Sequence, residues 1–190
     1  MWRKRLGGAF LPALWLSALA CSHGGRNYHD SSMDFGSVKT ILVLPFANLS
    51  RDPTGAERVR DAFSTALLAT GSLYVVPQGE VARALSRVSV ATPTAPTAEE
   101  VVKLGALVKA DAVVSGVVRE YGEIRSGTAV GNVVSLSVEM QESGTGKVVW
   151  SGVTTQGGLS FWNRLFGSGG APMNDVTEAA VDDLIAKLFK

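Results

Sequence analysis

Residues 40–46, with the sequence TILVLPF, constrain the fold of this chain more than any other segment. The run is short, continuous and rich in branched apolar side chains, which is typical of a strand covered on both faces of its sheet. Pro45 fits only the end of that strand, because proline has no N–H to donate to a neighbouring strand. A strand of this kind lies in a sheet with helices packed on it, so the run indicates an α/β architecture.

Two overlapping helix starts follow this strand. Asp52 can cap a helix with Pro53 at the first helical position, or Thr54 and Glu57 can form a capping box. The helix that follows has one apolar face. That face consists of Val59, Phe63, Ala66 and Leu67.

A second strand is predicted over residues 73–76 and a second helix over residues 79–87. A third helix begins at a capping box formed by Thr97 and Glu100. A final helix, capped by Asn174 or Asp175, is predicted near the end of the chain.

Between the third and final helices the sequence changes to strands. Residues 112–118 are apolar and branched, and residues 132–142 alternate between apolar and polar side chains. Strict alternation is typical of an antiparallel strand with one face in water. Residues 147–153 close a hairpin with that strand. We therefore predict a single compact α/β (α+β) domain over residues 38–190, with a mixed sheet of about five strands, about four helices and the order β-α-β-α-α-β-β-β-α.

Residues 1–20 have the features of a leader that is removed from the mature protein. Residues 3–5 are basic, residues 6–19 are largely apolar, and a small-residue cut site directly precedes Cys21. Cys21 is the only cysteine in the chain, so its modification would leave no thiol for a disulfide, a metal or a nucleophile. This arrangement resembles the lipobox of bacterial lipoproteins, and the resemblance implies a lipoprotein signal peptide over residues 1–20 and a lipidation site at Cys21.

The alternatives are an uncleaved transmembrane anchor and a buried core helix. A membrane-spanning helix needs about 20 apolar residues, and this run is shorter, with Pro12 inside it and Gly7 and Gly8 at its start. A core helix would hardly begin with Arg-Lys-Arg at the end of the chain.

Residues 21–37 are polar and glycine-rich without periodicity, and we interpret them as a flexible tether. Such a tether would hold the domain on the order of 20 Å from the membrane. Without the leader the chain has 15 basic and 17 acidic residues, and no basic patch indicates binding to nucleic acid. The membrane is therefore expected as a partner through the lipid anchor alone.

The predicted domain lacks the residues that most enzyme chemistry requires. The only histidines, His23 and His29, lie in the predicted tether, where nothing rigid would hold them. Clusters of histidine and cysteine that could bind a metal are excluded by the same count. Residues 36–40 (GSVKT) resemble the end of a phosphate-binding loop, but they lack its leading glycine and precede a strand. We predict no enzymatic activity, no metal and no cofactor.

Four carboxylates, Asp52, Glu57, Asp61 and Glu80, fall near the ends of the first two strands, where open α/β sheets often bind ligands. Helix caps and solvated helix faces explain each of them, and we interpret them in that way.

The segment FWNRLF at residues 161–166 is the best candidate for a contact surface. Its four large apolar side chains would share one face of a helical turn that is too short to form a core alone. It could cover its own sheet, contact another subunit or partner, or insert into a membrane surface. The predicted partner or oligomer contacts are Phe161, Trp162, Arg164, Leu165 and Phe166.

The leader resembles the lipobox of bacterial lipoproteins, in which the cysteine receives a diacylglyceryl group, the leader is cleaved and the new amino terminus is acylated with a chain such as palmitate. Residues 41–48, 74–77, 110–116 and 145–152, in that order, resemble segments of bacterial envelope lipoproteins. The superfamily in question contains the curli secretion channel CsgG, the peptidoglycan synthase activator LpoB, the Pel polysaccharide lipoprotein PelC and the amino-terminal domain of TolB.

The resemblance implies an outer-membrane lipoprotein that faces the periplasm and works through protein contacts. Ser22 agrees, because aspartate after the cysteine would argue for retention in the inner membrane. The leading hypothesis is a self-associating accessory or scaffold subunit of an envelope export or assembly machine, since size and tether length are nearest to the ring-forming Pel lipoprotein. The alternative is a monomeric regulatory lipoprotein that activates a peptidoglycan synthase.

Overall fold

A seven-stranded mixed sheet organises the computed structural model, which describes residues 27–159 and 170–190. The strands are β1 (Asn27–His29), β2 (Thr40–Val43), β3 (Ala47–Asn48), β4 (Tyr74–Val75), β5 (Ala112–Ser126), β6 (Ala129–Glu142) and β7 (Val148–Gly157). The helices are α1 (Gly55–Ala69), α2 (Gln78–Val88), α3 (Ala98–Val108) and α4 (Met173–Leu188), and a short 3₁₀ helix spans Phe35–Ser37. The predicted α/β class is confirmed, with more strands than the five expected.

The strands lie in the order β1-β7-β6-β5-β2-β4, and β3 pairs with β5 beyond the end of β2. β2 is parallel to both β4 and β5, whereas β5, β6, β7 and β1 are antiparallel neighbours. The sheet is open, with β1 at one edge and β4 at the other. The parallel part, with β2 and β4, comes from the first half of the sequence, in which strands alternate with helices. The antiparallel part contains the hairpins formed by β5, β6 and β7.

Strand β2 is buried on both faces, as its sequence predicts. Ile41 and Val43 face a core formed with α1 and α4, and Leu42 and Leu44 face a second core formed with α2 and α3. All four side chains are at most 1% exposed. Burying each of them contributes roughly 1.5–3 kcal/mol. Because its side chains alternate between the two cores, β2 contacts both helical layers.

The polar and apolar alternation of β6 is also observed. Its apolar residues at positions 134, 136, 138 and 140 belong to the core beneath α1 and α4. Glu139, between them, is exposed on the other face of the sheet.

The capping box at the start of α3 is present as predicted. The hydroxyl of Thr97 accepts a hydrogen bond from the Glu100 N–H at 3.3 Å, and Glu100 Oε2 accepts one from the Thr97 N–H at 2.7 Å. Two N–H groups that the helix cannot satisfy are thereby paired.

Neither helix start predicted for α1 is observed. The helix begins at Gly55, and the side chain of Thr54 caps nothing. Asp52 Oδ1 accepts hydrogen bonds from both the N–H and the hydroxyl of Thr54, each at 2.8 Å. The carboxylate therefore closes a turn before the helix, and the predicted caps are wrong.

The predicted cap of α4 is also wrong. The helix begins at Met173, directly after Pro172, and no side chain caps it. Proline fixes its own backbone angle in a conformation that suits the residue before a helix, so the chain turns into α4 without help from Asn174 or Asp175.

Residues 27–37 belong to the folded domain, which corrects the predicted tether over residues 21–37. β1 pairs antiparallel with β7, so that Asn27 lies opposite Gly152 and His29 lies opposite Trp150. The edge of β7 imposes this strand on three residues that carry no apolar pattern of their own.

His29 is held in place, contrary to the expectation that nothing rigid would hold it. Its Nε2 lies 2.8 Å from the carbonyl oxygen of Lys187. The imidazole packs edge-on against the rings of Phe35 and Trp150, with ring centres 5.4 and 6.3 Å away. The predicted tether segment is thus attached to the last turn of α4.

β5 and β6 extend well beyond their predicted lengths. The predicted strand over residues 112–118 continues to Ser126, and β6 begins at Ala129 after a two-residue turn that contains Gly127 with φ of 61°. A register shift between Val118 and Glu120 marks the start of this extension. We call residues 119–133 the distal hairpin.

Candidate functional site

The predicted functional residues lie outside the described residues. This applies to Cys21 and to the whole contact segment, Phe161, Trp162, Arg164, Leu165 and Phe166. Their assignments stay predictions. What the structure does describe is the place where each of these two segments joins the domain.

Residues 160–169, which contain the predicted contact segment, leave and return at one place on β6. The Gly158 N–H donates to the carbonyl of Asn132 at 2.7 Å, and the Gly170 N–H donates to the carbonyl of Val130 at 2.9 Å. The side-chain amide of Asn132 also donates to the carbonyl of Ala171 at 2.8 Å. Both ends of the segment are therefore fixed to the distal hairpin.

Glycine is required where these ends meet β6. A Cβ on Gly131 would lie 2.8 Å from the carbonyl oxygen of Gly158, and a Cβ on Gly170 would lie 2.8 Å from the Gly131 Cα. Gly157 has φ of 82°, and a Cβ there would overlap the carbonyl oxygen of Asn132. The close approach of three backbone segments depends on the missing side chains.

Sequence reasoning missed this junction. The signal that could have found it is the pair of glycine clusters, residues 157–158 and 167–170, on either side of the aromatic segment. Paired glycines at both ends of a loop indicate two close backbone approaches.

The distal hairpin also carries an exposed apolar side chain. Ile124 is 36% exposed and lies opposite Gly131 in the β5–β6 register. Glu123 and Arg125 flank it and form an exposed ion pair at 2.6 Å, which contributes little to stability. This end of the molecule therefore offers a small apolar position between charges.

β1 points with its first residue towards the same end of the sheet. β1 is antiparallel to β7, so moving from His29 back to Asn27 leads from Trp150 towards Gly157. Asn27 is therefore the β1 residue nearest to the end of β7 that precedes residues 160–169.

A cleft of about 550 Å³ lies at the opposite end of the sheet. It is formed by the segment after β1, the residues before β2 and the end of α4. Phe189 at its rim is 50% exposed. Its apolar lining comprises Met33, Phe35, Val38, Leu73, Leu188 and Phe189.

Each of the four candidate carboxylates has a local structural role. The hydrogen bonds that Asp52 accepts from Thr54 lower the pKa of its carboxyl group. Asp61 accepts a hydrogen bond from the side-chain amide of Gln78 at 2.5 Å. Glu57 and Glu80 lie in the first turns of α1 and α2, where negative charge is favourable.

Residues 27–159 and 170–190 lack two further features. In this part of the chain no three His, Cys, Asp or Glu side chains are grouped as metal ligands would be. None of its helices combines the length and the apolar composition needed to cross a bilayer.

Comparison with known proteins gives one family match. The sequence model of the GNA1162-like lipoprotein family matches residues 28–188. No curated protein sequence matches the chain.

Three solved structures show the same fold. Lipoprotein GNA1162 from Neisseria meningitidis is 22% identical with a TM-score of 0.56, over 80% of this chain and 98% of that one. PelC from Paraburkholderia phytofirmans, solved as a dodecamer, is 18% identical with a TM-score of 0.58, over 86% and 94% of the two chains. The hypothetical protein CT253 from Chlamydia trachomatis is 14% identical with a TM-score of 0.51, over 80% and 96%. The expected resemblance to envelope lipoproteins of this fold is confirmed.

Proposed function

Because the chain belongs to the GNA1162-like lipoprotein family, we propose that it is an outer-membrane lipoprotein, lipidated on Cys21 and facing the periplasm. In this proposal it is a non-enzymatic accessory or scaffold subunit of an envelope export or assembly machine, and it self-associates. The family match supports the lipoprotein character.

One observation carries the proposal: β1 runs antiparallel to β7, so that its first residue, Asn27, is the β1 residue nearest to the end of β7 that precedes the aromatic segment. Cys21 lies six residues before Asn27, which spans at most about 20 Å in an extended chain. Gly157 lies five residues beyond Gly152, the partner of Asn27, which corresponds to roughly 17 Å along β7. A lipid on Cys21 can therefore reach the level of the aromatic segment.

This arrangement favours contacts between copies that lie side by side in the membrane. Aromatic residues and arginine are enriched at the centres of protein interfaces, and segment 161–166 combines three aromatic residues with Arg164. Lipid anchoring confines the copies to two dimensions, which raises their local concentration. The dodecameric state of PelC supports the same idea by analogy of fold.

Native mass spectrometry of the lipidated protein in lipid nanodiscs or detergent would test self-association. We expect an oligomer for the parent, and a monomer after Trp162→Ala combined with Phe166→Ala. Tyr74→Ala is the matched control, because Tyr74 is an aromatic residue 54% exposed on β4, at the edge of the sheet opposite β1. A parent protein that stays strictly monomeric at high concentration would overturn the proposal.

A monomeric regulatory lipoprotein that activates a peptidoglycan synthase is the second candidate. The apolar cleft with exposed Phe189 favours it, because an apolar lining with an exposed aromatic rim could meet a periplasmic partner. Crosslinking in cells separates the two candidates. Self-crosslinks through position 162 support the scaffold, whereas one heterologous partner captured through position 189 supports the regulator.

A further inference from the structure

A positively charged groove of about 300 Å³ lies between α2 and α3. Arg83 and Arg87 line it from α2, and Lys109 lines it directly after the end of α3; all three residues are exposed. Glu80 is the one acidic residue among the described residues that line it. Basic side chains therefore outnumber acidic ones in the groove, which favours an acidic occupant.

The exposed face of α4 carries the opposite charge. Glu178 and Asp182 lie four residues apart and are both exposed, with the exposed Asp175 one turn before them. Residues at this spacing share one side of a helix. The partly buried Asp183, by contrast, already pairs with Lys187 in the next turn. α4 thus presents a row of negative charge at its surface.

The groove and the acidic row lie on opposite faces of the sheet. α4 packs on the core that Ile41 and Val43 face, and α2 and α3 pack on the core that Leu42 and Leu44 face. Because the sheet separates them, one molecule cannot bring its own α4 to its own groove. Two copies can make this contact, and the contact is then head-to-tail, since a two-fold dimer would need both surfaces on one face.

We propose that α4 of one copy docks on the α2–α3 groove of the next, with Glu178 and Asp182 opposite Arg83 and Arg87. This inference rests on the proposed self-association and names surfaces that would carry part of it. In each helix the two charges are four residues apart, about 6 Å along the axis, so both ion pairs can form at once. Leu107, 42% exposed at the groove, would lose its contact with water.

An acidic segment of another protein and anionic lipid headgroups are the competing occupants of a basic groove. The second copy is favoured because every molecule already carries the complementary row of charge, at the same spacing, on its other face. Repetition of such a contact gives a ring if the rotation between copies closes, and a filament if it does not.

Charge reversal on each surface tests the docking. One variant carries Arg83→Glu and Arg87→Glu, and the other carries Glu178→Lys and Asp182→Lys. Glutamate and lysine are strong helix formers, so both helices are retained. Native mass spectrometry of the full-length proteins in detergent measures the assembly of each variant alone and of an equal mixture.

We expect each variant alone to need at least about tenfold more protein for half-assembly, because like charges then face each other. The equal mixture should assemble as the parent does, with the two variants alternating, since every acidic surface then meets a basic one. Unchanged assembly of the α4 variant would assign the groove to another acidic partner or to lipid headgroups. That result, unchanged assembly of both variants, or failure of the mixture to assemble would each overturn the docking.

The matched control carries Arg51→Glu and Lys147→Glu, at two exposed positions outside α2, α3 and α4. It replaces two basic residues with two acidic ones, as the α2 variant does, so its assembly should equal that of the parent. A control that loses assembly as strongly would attribute the effect to total charge and overturn the docking. A strictly monomeric parent refutes the proposed self-association, whereas an assembled parent with unchanged variants refutes the docking alone.

Discussion

The imidazole of His29 and the backbone carbonyl of Lys187 lie 2.8 Å apart, although 158 residues separate them in the sequence. His29 ends the first described strand, and Lys187 lies in the last turn of α4. The contact therefore joins the beginning of the described chain to its end, at the edge of the sheet where the amino-terminal chain enters.

Replacing His29 with alanine should destabilise the domain by roughly 1–3 kcal/mol, because it removes a hydrogen bond and the packing against Phe35 and Trp150. Urea unfolding followed by circular dichroism measures the change. Tyr28→Ala is the control on the same strand, because Tyr28 is 49% exposed; we expect at most about 0.5 kcal/mol there. Equal losses for the two variants would contradict a specific role for His29.

Three glycine variants should form a graded series in unfolding free energy. Gly157→Ala combines positive φ with overlap onto Asn132 and should cost the most, roughly 2–4 kcal/mol. Gly158→Ala has φ of 95° but open space around its Cβ, so only the backbone strain of about 1–2 kcal/mol applies. Gly144→Ala has neither problem and should change stability by less than about 0.5 kcal/mol. Thermal unfolding in any other order would argue against the described junction.

Trp150→Phe should cost far less than Trp150→Ala. Trp150 is fully buried, and its indole N–H has no hydrogen-bond partner among the described residues. Phenylalanine keeps most of the apolar volume and removes the unpaired donor, so we expect a loss below about 1.5 kcal/mol. Alanine leaves a cavity and should cost roughly 3–5 kcal/mol. Similar losses of unfolding free energy for Trp150→Phe and Trp150→Ala, measured by guanidinium unfolding, would show that the indole N–H does have a partner.

Glu100→Gln should lose a stabilisation that depends on pH. The N–H groups of Thr97 and then Ala91 lower the pKa of the Glu100 carboxyl in the folded protein. A lowered folded-state pKa means that the stabilisation is present above the ordinary glutamate pKa and is lost as the pH falls through the lowered value. The parent and the variant should therefore differ in urea midpoint at pH 7 and converge in acid.

Glu99→Gln serves as the control for that experiment. Glu99 lies in the same first turn of α3, but its carboxylate accepts no hydrogen bond from the described residues. A pH-dependent difference as large as that of Glu100→Gln would contradict the capping box as its source.

The features predicted correctly are those that neighbouring residues determine. The branched run of β2, the alternation of β6 and the Thr97–Glu100 box all carry their signal within a few residues, and the structure has each of them. The leader and the aromatic segment are equally recognisable in the sequence. Their predicted roles, however, depend on a membrane and on partner proteins, which the fold of this chain does not contain.

The features that were missed depend on distant residues. β1 is a strand because the edge of β7 pairs with it. The charged residues at the end of β5 continue that strand because β6 lies opposite them and forms the ladder with them. The position of His29 depends on α4, which follows more than 140 residues later. No local pattern around Asp52 indicates that its carboxylate accepts hydrogen bonds from Thr54, one residue before the helix begins.

The antiparallel pairing of β1 with β7 also determines how the domain would bear a mechanical load. A pull on Asn27 along the axis of β1, towards the Gly157 end of β7, would load this pair lengthwise. The hydrogen bonds of such a pair are perpendicular to the strands, so this force would shear all of them at once and would not open them one after another. β1 would therefore resist such a pull far better than if the same three residues were peeled from the edge of the sheet.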